Sequence, residues 1–146
     1  MLAPAREKAP ELRQYEFISH TAEVGLRLTA DSPEELFRAA LEGMAEWLKP
    51  GMPRDVELRR DLRVDSALAQ TLLVDFLIDA LTRSQVDRAV FFDAEFQLIE
   101  DTRVEATLLG RGVESFDDDI KAITYHGAGF RRNGDGQYET EVIFDI

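Results

Sequence analysis

The chain has no cysteine, so neither a disulfide framework nor a thiolate metal site is open to it. No apolar run approaches the roughly 20 residues that a membrane-spanning helix needs, which argues against a membrane role. The first residues, MLAPAREKAPELRQ, lack the apolar stretch of a secretory signal, and a cytoplasmic protein is expected. Basic side chains are the minority, 17 against 29 acidic ones, for a formal net charge of −12. Such a surface repels phosphate backbones, and no concentrated basic patch offsets it, so strong direct nucleic-acid binding is not expected. Cations or basic protein surfaces are the more natural partners. Also missing are a Gly-rich phosphate loop, a nucleophile elbow and a His-Glu-x-x-His run, which removes the familiar nucleotide-binding and hydrolytic templates. Repeats and low-complexity segments are absent as well. At 146 residues the chain fits one domain. Residues 1–13 mix Pro, Ala and charge without a period and read as a mobile arm, leaving 14–146 as a single domain.

What is present is organised around the closing stretch, KAITYHGAGFRRNGDGQYETEVIFDI. From Tyr138 the apolar residues Tyr138, Val142, Phe144 and Ile146 fall on alternate positions, the period of a half-buried strand, and the sequence stops inside that pattern. Ile146 is therefore expected to pack and anchor the end, with its α-carboxylate one residue from the carboxylate of Asp145. Two neighbouring anionic groups need solvent, a cation or a basic partner, because like charges repel and burial makes that worse.

The rest of the chain alternates the two periodicities. Tyr15 and Phe17 begin a strand, the polar segment Ser19-His20-Thr21-Ala22-Glu23 interrupts it, and Val24, Leu26 and Leu28 resume the alternation. Ser32, Pro33 and Glu35 form a helix start with capping-box spacing, followed by the stripe Leu36, Phe37, Ala40, Leu41, Met44 and Leu48, and Lys49-Pro50-Gly51 closes it. Val56, Leu58, Leu62 and Val64 read as a strand whose apolar side Arg60 interrupts, as at a sheet edge. Asp65 or Ser66 is expected to cap a second helix carrying Leu68, Leu72, Leu73, Phe76, Leu77, Ala80 and Leu81. Strands follow over Val90 to Leu109 with a turn at Glu100-Asp101; Gly110-Arg111-Gly112 breaks the run, and Ile120 to His126 is another strand. Asn133-Gly134-Asp135-Gly136 supplies hairpin-turn chemistry before the last one. The order predicts an α+β fold: a mixed, mostly antiparallel sheet with two amphipathic helices packed against it.

Several acidic groupings invite a metal reading and do not sustain it. Asp75 and Asp79 lie four apart on one helix, but no His or third carboxylate sits a turn away, and a solvated face is the better reading. Phe116-Asp117-Asp118-Asp119 lacks the spaced ligands, glycine and distal Glu of a calcium loop. His20 and His126 each occupy a polar break between apolar strands, and singly each reads as structural. If antiparallel pairing brings the segments SHTAE, TYHG and FDI to one patch, Glu23, Asp145 and the Ile146 carboxylate offer three oxygen donors suited to a hard cation. A metal-dependent hydrolase with His20 or His126 as general base is an alternative, as is a metal-free interaction module.

Three segments together resemble the archease family: YEFISHTAEVGLRL, the helix containing ELFRAALEGMAEWL, and KAITYHGAGF with GQYETEVIFDI; TLLVDFLIDAL is similar to the family's second helix. The resemblance implies a small cytosolic protein with no reaction of its own that assists an RtcB-type RNA ligase of tRNA splicing and RNA repair, promoting guanylylation and multiple turnover. It also implies a divalent cation, calcium first with magnesium or manganese as alternatives, held by the acid of the His-Thr-Ala-acid motif and the last two residues. Here those are Glu23, Asp145 and Ile146, with His20, Lys121 and His126 as possible supporting or partner-facing residues. The family usually has Asp where this chain has Glu23, one methylene longer. Its second helix usually continues Asn-Glu-Leu-Leu, where Asp79-Ala80-Leu81 follows Ile78 here.

Overall fold

The sequence closes two strands over a two-residue turn and then caps a helix. β1 (Arg13–His20) and β2 (Glu23–Ala30) pair antiparallel from Arg13 opposite Ala30 to His20 opposite Glu23, so the polar break is the tip of a hairpin. α1 (Pro33–Leu48) starts as its sequence dictates: the Ser32 hydroxyl accepts the Glu35 N–H at 3.2 Å and Pro33 occupies the first turn. The Glu35 carboxylate is drawn to arginines, at 2.6 Å from Arg13 and 3.2 Å from Arg38. Partial burial works against the charged Arg13 guanidinium, but Glu42 and Glu35 outweigh it and hold its pKa above the usual value. The computed structural model describes residues 12–125 and 130–146, with His20 as backbone only. All but Leu12 and Arg13 of the expected arm, and His126, therefore lie outside the described residues.

The chain continues through β3 (Leu58–Asp65), α2 (Leu72–Asp87), β4 (Ala89–Ile99), β5 (Arg103–Gly112), β6 (Ala122–Tyr125), β7 (Arg131–Arg132) and β8 (Tyr138–Asp145). Two sheets result. One has the order β1-β2-β8-β6, with β7 also pairing β8; the other has the order β3-β5-β4. Every strand pair among the described residues is antiparallel, and the expected α+β fold with two amphipathic helices holds. Both helices bridge the sheets: α1 packs on β1, β2 and β4, and α2 packs on β3, β4 and β5 and reaches β6. One hydrophobic cluster therefore joins them, with Leu26 and Phe144 from the first sheet, Phe37 and Phe76 from the helices, and Phe91 and Leu108 from the second. Phe37 and Phe76 meet at a centroid distance of 5.2 Å.

Some expectations shift and one holds. Strand β3 begins at Leu58, because its ladder opens with the Glu57 N–H on the Gly110 carbonyl at 2.8 Å; Val56 lies before it and is exposed. Arg60 does mark an edge, since β3 is an outer strand, and it reaches Asp87 at 3.0 Å. Neither Asp65 nor Ser66 caps α2. Asp65 is the last residue of β3 and is held by Arg103 at 2.6 Å, while the Ser66 hydroxyl donates to Asp75 at 2.5 Å. A short 3₁₀ turn, Ala69–Thr71, leads into the helix, and Leu68 stays exposed ahead of it.

Another shift concerns Gly110, which does not break β5. A β-carbon there would stand 2.2 Å from the Val90 carbonyl oxygen and 2.9 Å from the Phe91 Cα, so glycine is what lets β4 lie against β5 beside the irregularity at Phe92. The obstructing atoms are backbone and cannot swing aside. Gly110→Ala should lower the unfolding free energy by about 1–3 kcal/mol, read as a lower denaturant midpoint. An unchanged midpoint would show that the two strands separate without loss.

Candidate functional site

Strand register builds one end of the first sheet. His20, Glu23, Asp145 and Ala122 stand opposite one another in a row across β1, β2, β8 and β6. Beyond the row, the Ile146 N–H donates to the Ala22 carbonyl at 3.2 Å. That bond joins the residue after Asp145 to the residue before Glu23, which makes Glu23 and Asp145 a non-hydrogen-bonded pair, the geometry with Cα atoms about 4.5 Å apart and side chains closest. The next pair inward, Val24 and Phe144, is buried in the core, so the pleat sends Glu23 and Asp145 to the opposite face. Both are half-buried. On its other side Asp145 accepts the Lys121 N–H through its carbonyl at 2.7 Å.

The end of the chain is thus held by main-chain bonds from two neighbours. This corrects the expected anchoring of Ile146 by packing, since its side chain is exposed. Lys121 enters the site through its backbone, with an exposed side chain. His20 stands opposite Glu23 by register, and His126 is outside the described residues, so the general-base alternative gains no geometry. Tyr125, from the same TYHG segment, lies on β6 opposite Val142; burial pushes its phenol above the ordinary pKa, with Thr140 opposing.

The segment leading into β6 is tied to the end of α1. The Asp117 N–H donates to the Leu48 carbonyl at 2.8 Å, Lys49 meets the Asp117 carboxylate at 2.8 Å, and the Trp47 indole donates to the Asp119 carbonyl at 3.3 Å. These contacts give the acidic loop Asp117-Asp118-Asp119 a structural task, placing Lys121 against Asp145.

Sequence reasoning missed the role of Ala22. It adopts φ 61°, a left-handed conformation that costs an alanine about 1–2 kcal/mol, and in it presents its carbonyl to Ile146. The signal was available, because two strands separated by two residues demand an unusual φ in the turn. Ala22→Gly should raise stability by about 0.5–1 kcal/mol, the relief of that conformation exceeding the extra chain entropy of glycine. A lower melting temperature in the variant would show that the turn relaxes.

Among the described residues no group of three or more His, Cys, Asp or Glu side chains is placed to hold a metal. What the register does bring together at this end is two carboxylate side chains, Glu23 and Asp145. Hard oxygen donors of this kind fit calcium or magnesium.

Fold and register together define an α+β protein whose two antiparallel sheets share their helices and whose strand β8 brings an acidic pair to one end of the first sheet. Residues 15–146 match the model of the Archease protein family. The chain belongs to that family. It is 29% identical over 143 residues to protein archease of Pyrococcus furiosus, covering 92% of this chain and 100% of the relative. It is 28% identical over 142 residues to protein archease of Methanopyrus kandleri, covering 90% and 99%. The solution structure of Methanobacterium thermoautotrophicum protein 1598 shares the fold, with a TM-score of 0.68 at 24% identity over 90% of this chain and 98% of that one.

Proposed function

We propose that this chain is a cytoplasmic accessory protein of an RtcB-type RNA ligase of tRNA splicing and RNA repair. It assists guanylylation and multiple turnover through a divalent cation, calcium in the first instance, held by Glu23, Asp145 and the carboxylate of Ile146. The observation that carries the reading is the direct opposition of Glu23 and Asp145, with Ile146 bound to Ala22, in a member of the archease family. When bound, the cation supplies positive charge to an otherwise repulsive cluster of carboxylates. Glu23 and Asp145 would hold it from adjacent strands, and Ala22 and Lys121 fix Asp145 and Ile146 by main-chain bonds. No helix among the described residues is long and apolar enough to cross a membrane.

The test measures turnover of a purified ligase of this type with excess RNA ends. Wild-type chain is expected to convert a single-turnover reaction to a multiple-turnover one, and Glu23→Ala and Asp145→Ala are expected to lose that stimulation. Equal stimulation by both variants would reject the cation mechanism. No stimulation by the wild type would reject the partnership.

A further inference from the structure

The turn between β7 and β8 carries chemistry that the proposed function does not use. Asn133 is the single asparagine of the chain, and the residue after it is Gly134. The Asn133 side-chain oxygen accepts two backbone N–H groups, from Asp135 at 2.9 Å and Gln137 at 3.0 Å. Gly134 is exposed, and a β-carbon built on it would meet nothing within 4 Å. We propose that Asn133 is a site of spontaneous covalent modification, converting through a cyclic imide to aspartate and isoaspartate.

The backbone nitrogen of Gly134 attacks the Asn133 side-chain carbonyl carbon. Its proton leaves to water, the new C–N bond closes a five-membered imide, and the side-chain nitrogen departs as ammonia. Water then opens either carbonyl of the ring. Opening at the main-chain carbonyl leaves the chain running through the side-chain carbon as isoaspartate, and opening at the other gives aspartate. No oxidant or cofactor enters, and the balance is one water in and one ammonia out. Two features of the turn favour this step. The absence of a side chain on Gly134 leaves its nitrogen unobstructed and its backbone adaptable. The two N–H groups on the Asn133 oxygen point to where negative charge develops in the tetrahedral intermediate, as preorganised donors do in an oxyanion hole.

Either product adds a negative charge to a chain already at −12. The isoaspartate also inserts a methylene into the main chain of a turn closed by the Asn133 N–H on Gln137 at 2.9 Å and the Gly136 N–H on Asn133 at 3.0 Å. Gln137 in turn donates to Asp31, which holds the Leu12 N–H at the start of β1.

The full-length chain, incubated at neutral pH and physiological temperature, is followed by intact mass, ammonia release and peptide mapping, beside the free peptide Arg-Arg-Asn-Gly-Asp-Gly-Gln. The expected result is a mass gain of one amide-to-acid conversion, mapped to residue 133, with both products present. Isoaspartate at 133 should accept a methyl group from an isoaspartyl methyltransferase. Gly134→Ala, which the open space accommodates, should slow conversion several-fold while the fold is unchanged. A folded chain that keeps its mass while the peptide converts would overturn the proposal, as would equal rates in wild type and Gly134→Ala.

Discussion

Phe144→Ala should lower the unfolding free energy by about 3–5 kcal/mol, a large share of the roughly 5–15 kcal/mol that holds a domain together. Phe144 is fully buried in the central strand of the first sheet, flanked by Val24 on β2 and Ile123 on β6, and it belongs to the cluster that joins both sheets. Its truncation removes a whole ring from a site whose neighbours are fixed by strand pairing on both sides, so the cavity collapses only partly. Urea denaturation checks this, with a lower midpoint at an unchanged slope. Because Phe144 immediately precedes Asp145, the same substitution should also weaken cation binding at temperatures where the variant remains folded. A loss below about 1 kcal/mol would mean that the strand repacks, and that its end is not rigidly placed by the core.

The second large effect is expected from two residues added after Ile146. The extension converts the Ile146 carboxylate to a neutral amide and should weaken calcium binding at least tenfold, about 1.4 kcal/mol. Stability should hardly change, because the Ile146 side chain is exposed and its N–H keeps its bond to Ala22. The combination separates a ligand role from a packing role. Were Ile146 an anchor, the extension would lower the melting temperature and leave affinity alone.

Much of this fold was legible because local chemistry agreed with the final structure. The cap at Ser32, the stripe from Leu36 to Leu48 and the turn at Asn133-Gly134-Asp135-Gly136 are decided within a few residues of themselves. The failures have a common cause in tertiary contacts. Asp65 and Ser66 look like caps, but arginines on β3 and β5 claim the first and Asp75 the second. Gly110 looks like a breaker, but the close approach of β4 makes it a strand residue. The division of the strands between two sheets follows from helices that pack both ways, which no single periodicity records.

For the candidate site, alternation placed Asp145 on a strand and the polar break placed Glu23 beside a turn. Their direct opposition required the register of two strands more than a hundred residues apart in sequence, and that becomes visible only once the sheet is assembled. The turn at Ala22 could be read from the two-residue spacing, but that its carbonyl meets Ile146 follows only from the same register. Glu23 remains the chain's own variation. Its extra methylene moves the carboxylate by about one carbon–carbon bond relative to an aspartate, enough to alter the geometry of any coordination there.

The central claim is that this acidic end binds a hard cation. Calorimetric titration of calcium into the wild-type chain and into Asp145→Ala tests it most directly. One calcium per chain in the wild type, with affinity reduced at least tenfold, about 1.4 kcal/mol, in the variant, is the predicted result. Identical isotherms for the two proteins, or no binding to the wild type, would contradict it.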